Sequence, residues 1–187
     1  MIRVNRELLD YVIKLKDTPV GDRITELEAV KGEKILLQKT HVHAVYLIKE
    51  GLTKCYQTID TGNDFIQEFF GAGEVFGEIE VLTDAISFCT IEALGPLRYF
   101  KIPKTAFLEL IEQDPKFNSL LLRLLASNVR YAALRHSYNQ THTLEDNIKR
   151  LLSEFPQLFE KIAKHDIANY LGISIRSLNR VIQTLES

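Results

Sequence analysis

The chain has 187 residues, 45% of them apolar and 26% charged, with a formal net charge of −2. That is ample material for a buried core and too apolar for a disordered chain, while its longest apolar runs fall far short of the roughly 20 residues that cross a bilayer. Two cysteines, Cys55 and Cys89, exclude a disulfide framework or a four-thiolate cluster, and the start MIRVNRELLDYVIKLKD lacks the apolar run of a secretory signal, so a cytoplasmic protein is expected.

The charge is unevenly spread. Residues 1–115 carry 13 basic and 19 acidic side chains, and residues 116–187 carry 10 and 6. An acidic body joined to a part that tolerates a polyanion gives this balance, and so does chance scatter of surface charge.

Leu8, Leu9, Val12 and Ile13 recur at helical spacing and predict a short amphipathic helix over residues 6–16, ended by the stretch with Pro19 and Gly21. Over residues 35–102 the texture changes to short runs rich in Val, Ile, Leu, Tyr and Phe: KILLQK, AVYLIKEG, LTKCYQTI, FIQEFF, SFCTIEAL and LRYFKIP. Gly32, Gly51, Thr61-Gly62-Asn63-Asp64, Gly71-Ala72-Gly73 and Gly95-Pro96 punctuate them. Many short strands at this spacing predict an antiparallel sandwich or barrel. Cys55 and Cys89 fall in two of these strands, with no basic residue spaced to activate both, and read as buried structural thiols. His41 and His43 form an H-x-H pair that lacks the third ligand a metal would need, so neither metal nor cofactor is expected.

After Pro103 the period becomes helical again. Residues 105–113 predict a short helix, and Asp114-Pro115 a cap followed by proline at the first helical position. A long helix over residues 116–139 has no Gly, Pro or acidic residue and carries Arg123, Arg130 and Arg135. Leu122, Leu125, Val129 and Ala132 alternate at spacings of three and four, a coiled-coil seam that a second copy would bury; the alternative is that the seam packs on the chain's own sheet. Residues 144–155 predict a further helix, ended by Pro156.

The segment KIAKHDIANYLGISIRSLNRVIQTLES reads as a helix-turn-helix. Ile167, Ala168 and Leu171 share one face of a first helix. Gly172 suits a turn that needs positive φ, and Ser174 suits the cap of a second helix. Leu178, Val181 and Ile182 bring that second helix onto the first across the small Ala168. Ile175, Arg176, Ser177, Asn179 and Arg180 then face outward. Such a face fits the major groove, where Arg takes guanine O6/N7 and Asn takes adenine N6/N7. Lys164 is placed for a backbone phosphate. An ordinary helical hairpin with solvated arginines is the plain alternative.

Short helix, glycine-punctuated β roll, long helix and terminal helix-turn-helix, in that order, resemble the cyclic AMP receptor/FNR superfamily of bacterial transcription regulators. Val45-Tyr46-Leu47-Ile48-Lys49-Glu50-Gly51 resembles the family's central strand and turn. Gly71-Ala72-Gly73-Glu74-Val75-Phe76-Gly77-Glu78 resembles the start of its phosphate-binding cassette, and Ile167-Ala168 through Leu178-Asn179-Arg180 its recognition unit. The resemblance implies an α+β chain: a jelly-roll-like double-stranded β-helix sensor domain over residues 1–113, a dimerisation helix over 114–140 and a truncated helix-turn-helix domain over 141–187. It also implies a homodimer on double-stranded DNA, an unidentified small-molecule effector in the roll, a contact with RNA polymerase and no membrane partner. No nucleophile elbow, P-loop or H-E-x-x-H motif suggests an enzyme.

The likeness departs at the nucleotide phosphate. Members that bind cyclic nucleotides follow their Gly-Glu downstream with Arg-Ser or Arg-Thr; Ser87 and Phe88 stand there in this chain, and burying an unpaired phosphodiester charge costs several kcal/mol. The Thr-Ser that meets the purine is replaced by Ala132 and Ala133. Phe76, Gly77, Glu78, Ile79, Ser87, Phe88, Ala132 and Ala133 therefore outline an effector pocket unsuited to cyclic AMP, with Glu78 either a ribose ligand or a retained structural residue. Iron–sulfur members need cysteines near the amino terminus, and this chain has none there. The family usually follows the recognition helix with a two-stranded wing that adds phosphate contacts; with the sequence ending at Ser187, a shortened head is expected. Ile175, Arg176 and Arg180 stand where the family commonly reads with Arg, Glu and Arg, so a different operator is expected. A chain of this build whose shortened head no longer binds DNA would instead be an effector-free dimeric interaction protein.

Overall fold

The computed structural model describes residues 2–60, 62–156 and 158–186, less the side chain of Glu186; Thr61 and Ser187, named above, lie outside them. The chain divides into two compact units, Ile2–Leu124 and Leu125–Ser187. The break falls inside the long helix and not at residues 113/114 or 140/141.

The first unit runs β1 (Ile2–Arg3), α1 (Arg6–Leu15), β2 (Thr25–Ala29), β3 (Lys34–Leu36), β4 (Ala44–Glu50), β5 (Thr53–Thr58), β6 (Asp64–Phe70), β7 (Val75–Phe76), α2 (Glu78–Thr83), β8 (Thr90–Ala93), β9 (Leu97–Pro103), α3 (Lys104–Gln113) and the start of α4 (Pro115–Thr141). Two sheets form the roll, in the orders β1-β6-β5-β8-β3 and β2-β9-β4-β7. Every described pairing is antiparallel except β1, which runs parallel to β6 and sets Ile2 opposite Phe69 and Arg3 opposite Phe70. The core buries Ile48, Ile66, Phe69, Ile91, Phe100 and Ile102 to 1% exposure or less. β4 lies between β9 and β7 and also meets α1 and α3. Cover on both faces explains its near-continuous apolar run, where a half-buried strand would alternate.

Several elements depart from the sequence expectations for local reasons. β2 gives no apolar signal because it is an edge strand, paired only with β9. Its Glu26 lies 2.8 Å from Lys49 and 2.6 Å from Arg98, and a charged edge of this kind discourages further pairing. β8 is shorter than SFCTIEAL predicts: Cys89 precedes it in irregular backbone, because the Ser87 hydroxyl lies 2.8 Å from the Cys89 carbonyl and accepts from the Cys89 N–H at 3.4 Å, replacing ladder bonds with local ones. KILLQK likewise yields only Lys34–Leu36, and the chain leaves it through Lys39 at φ +65°. α2 is a helix where only strands are expected; Gly77, at φ +87°, turns the chain into it.

α1 is capped by Asn5, whose Oδ1 accepts from the Leu8 N–H at 3.1 Å. Leu8, Leu9, Val12 and Leu15 bury its inner face, and Ile13, expected there, is exposed. Gly73, at φ +83°, packs so closely that a Cβ would sit on the Asn5 carbonyl, and Asn5 N–H donates to the Ala72 carbonyl at 2.9 Å. The amino-terminal segment is therefore clamped to the β6–β7 turn. α4 begins as its sequence dictates: Asp114 Oδ1 accepts from the Lys116 and Phe117 N–H groups, both at 3.0 Å, with Pro115 at the first helical position. Phe117, Leu120, Leu121 and Leu124 bury its inner side.

In the second unit the rest of α4 is followed by α5 (Leu144–Glu154), α6 (Leu158–Lys161), α7 (Lys164–Leu171) and α8 (Ile175–Glu186). Thr143 and Asp146 form a reciprocal capping box at the start of α5. Ile148, Leu151, Leu158, Ile162, Ile167, Ala168, Leu178 and Ile182 make this unit's core.

Candidate functional site

α7 and α8 are set by the residues that make the motif. Gly172 ends α7 at φ +68°, and the Ile173 N–H donates to the Ala168 carbonyl at 3.0 Å, a closure that needs the left-handed conformation. Ser174 Oγ accepts from the Ser177 N–H at 3.1 Å and starts α8. Ala168 and Leu178 are fully buried where the helices cross. The opposite face of α8 is left open: Ile175, Arg176, Ser177, Asn179, Arg180 and Gln183 line one surface depression. Gln183 is an addition. It lies one turn beyond Asn179 and Arg180, a spacing visible in the sequence that puts it on the same face. Lys164, on α7, reaches this face through Nζ, which donates to Asn179 Oδ1 at 3.4 Å.

The arginines of α4 are not uniformly available. Arg123 lies 3.9 Å from Glu7, and the Arg135 guanidinium lies 5.1 Å from the Tyr170 ring centre, inside the second unit. Of the seam residues, Leu122 is 59% and Val129 71% exposed, Ala132 is exposed and Leu125 half-buried. Leu122, in the first unit, therefore does not pack on that unit's sheets.

Within the roll, Phe76, Glu78 and Ser87 are buried, whereas Ile79 and Phe88 remain 45% and 39% exposed. Glu68, Glu74, Glu78 and Glu80 are all buried. Ser87 Oγ, at the position where the resemblance expects arginine, lies 3.1 Å from Glu80 Oε1. Burial pushes the Glu78 carboxyl up to about 8, with the Glu80 and Glu74 carboxylates adding to the shift and its own backbone and Arg3 opposing it. Arg3, distant in sequence, is the cation that acts on Glu78. Its guanidinium is 3.5 Å from Glu74 and stacks over Phe70, 4.8 Å from the ring centre, so Glu74 already engages it. The Cys55 thiol is pushed well up, first by its hydrogen bond with Cys89 and then by burial, which disfavours the thiolate. His41 and His43 stack at 6.4 Å between ring centres, and among the described residues no three His, Cys, Asp or Glu side chains are placed to hold a metal ion. Nor is any described helix long and apolar enough to cross a membrane.

Residues 26–114 match the cyclic nucleotide-binding domain family. The roll belongs to that family. The chain is homologous to the cyclic AMP receptor/FNR regulators: it is 24% identical to the transcriptional activator protein Anr of Pseudomonas aeruginosa over 162 residues, which cover 81% of this chain and 66% of that protein. A further match, 28% identical over 104 residues, is to the lysophospholipase NTE1 of Pyricularia oryzae; it takes in 56% of this chain but 7% of that protein. The chain thus spans a small fraction of the lysophospholipase and about two thirds of the activator. In fold it is similar to the c-di-GMP-responsive global regulator CLP of Xanthomonas campestris, with a TM-score of 0.79, 13% identity and coverage of 95% and 91% of the two chains.

Ser87 Oγ lies 2.8 Å from the Cys89 carbonyl and 3.1 Å from Glu80 Oε1, so an anion brought to this hydroxyl would meet a carboxylate. Ala132 and Ala133, expected to face the purine, are exposed on α4 and bring no hydroxyl to a ligand.

Proposed function

We propose that the chain is a homodimeric transcription regulator that binds double-stranded DNA through α8 and whose roll senses a small molecule other than cyclic AMP. The observation that carries this is the face of α8: Arg176, Asn179, Arg180 and Gln183 on one open surface, on a helix fixed by its Gly172 turn and Ser174 cap. Helices presented in this way enter the major groove, and their arginine and amide side chains match base edges. The similarity to a transcriptional activator over 81% of this chain supports the same role. For the roll, the support is Glu80, buried and 3.1 Å from Ser87, together with the engagement of Arg3 by Glu74, which leave a phosphodiester no cation at Ser87 among the described residues.

Affinity selection from random duplexes with the full chain tests the proposal. Enrichment of a two-fold symmetric site, its half-sites one helical turn apart, is the expected result; no enrichment across a range of salt concentrations contradicts it. On the selected duplex, Arg180→Ala should weaken binding by roughly 1–3 kcal/mol and relax the preference at one position in each half-site. Its melting temperature should not move, since the Arg180 side chain is exposed.

A further inference from the structure

We infer that Lys164 is a specificity-determining residue: it holds the Asn179 amide so that this side chain offers the major groove N–H donors, and half-sites with guanine or thymine at the base it meets are preferred over adenine. The inference rests on the proposal that the chain is a DNA-binding regulator.

An ammonium has donors and no acceptor, so the amide atom that Lys164 Nζ approaches at 3.4 Å is the oxygen, Asn179 Oδ1. Nδ2 is directed the other way. The same ammonium lies 5.5 Å from the Phe159 ring centre, a cation–π distance, so an aromatic face and an amide oxygen fix it from two sides. An unconstrained Asn takes adenine through both amide atoms, Oδ1 accepting from N6 and Nδ2 donating to N7. Oδ1 keeps a second lone pair, so adenine is not barred, but its amino group would have to approach an oxygen already beside a cation, donor against donor. Guanine, through O6 and N7, and thymine, through O4, instead present acceptors to Nδ2 and to the remaining ammonium protons. Arg176 and Arg180, which line the same depression, add donors and no acceptor. At 3.4 Å the contact is long for a hydrogen bond, so it sets a bias among bases and not an absolute choice.

The full chain and its Lys164→Met and Lys164→Arg variants are carried through the selection from random duplexes, and Asn179→Ala marks the half-site position that depends on Asn179. Methionine keeps an apolar stem beside Phe159, and equal melting temperatures check that folding is retained. At the marked position the unsubstituted chain should prefer guanine or thymine over adenine by about tenfold. Lys164→Met should turn that preference to adenine, and Lys164→Arg should keep the original order. Adenine preferred alike by the unsubstituted chain and Lys164→Met would overturn the inference and leave the regulator proposal standing. A uniform loss of affinity with the base order unchanged would make Lys164 a phosphate contact and overturn it too. Failure of every chain to enrich a symmetric site would overturn the regulator proposal itself.

Discussion

Val129→Glu is expected to leave each chain folded, to yield a monomer, and to lower operator affinity by about a hundredfold or more. Within one protomer Val129 is 71% exposed, so a carboxylate there is solvated and costs the fold little. α4 buries Phe117, Leu120, Leu121 and Leu124 in the first unit, while Leu122 and Val129, seven residues apart and so on one side of the helix, are large apolar side chains left exposed. If two copies of α4 pair along that side, each glutamate is driven into an apolar seam opposite its like, and the paired state is lost. A single head contacts few bases. In the proposed dimer it would owe its operator affinity to the second head, whose effective concentration would fall from millimolar to that of free protein once the helices separate. Light scattering reads the first effect and titration of the selected duplex the second. A Val129→Glu chain that stays dimeric contradicts the seam.

Glu78→Gln is expected to stabilise the chain, by an amount that depends on pH. Burial raises the Glu78 carboxyl from an ordinary 4.5 to about 8. Below about 4.5 the carboxyl is protonated in both folded and unfolded chains and adds no pH dependence. Between there and about 8 the unfolded chain gives up the proton and the folded chain keeps it, so stability falls as pH rises through this window. Above about 8 both states are ionised and the penalty is constant. The neutral amide escapes all of this, so the gain from Glu78→Gln should be close to zero near pH 4.5 and reach on the order of 2–4 kcal/mol at pH 8. Thermal melts across this range measure it. An equal gain at every pH would mean that amide packing, and not ionisation, is responsible.

What is legible in the sequence is what short-range chemistry dictates. Asp114-Pro115 caps α4, Gly172 and Ser174 place α7 against α8, and the apolar spacing of Ile167, Leu178 and Ile182 is enough to build the crossing. The outward face of α8 follows from the same periodicity, down to Gln183. Long-range pairing supplies the rest. Arg3 reaches Glu74 because β1 joins the sheet in parallel beside β6, and no local pattern marks a two-residue strand. Ser87 meets Glu80 because α2 interrupts the strands, a helix of six residues that is too short for periodicity to reveal. β2 is hidden by the charges that protect its edge. The contact of Lys164 with Asn179 depends on the angle at which two helices cross, which the spacing of either helix leaves unset.

The alternative of a dimeric protein that no longer binds DNA shares this fold and this seam, and only the DNA separates the two. Native mass measurement of the full chain on its selected duplex is the most direct test. Two chains on each duplex, reduced to one or none by Val129→Glu, are the expected result. One unsubstituted chain per duplex, or none at all, would contradict the account.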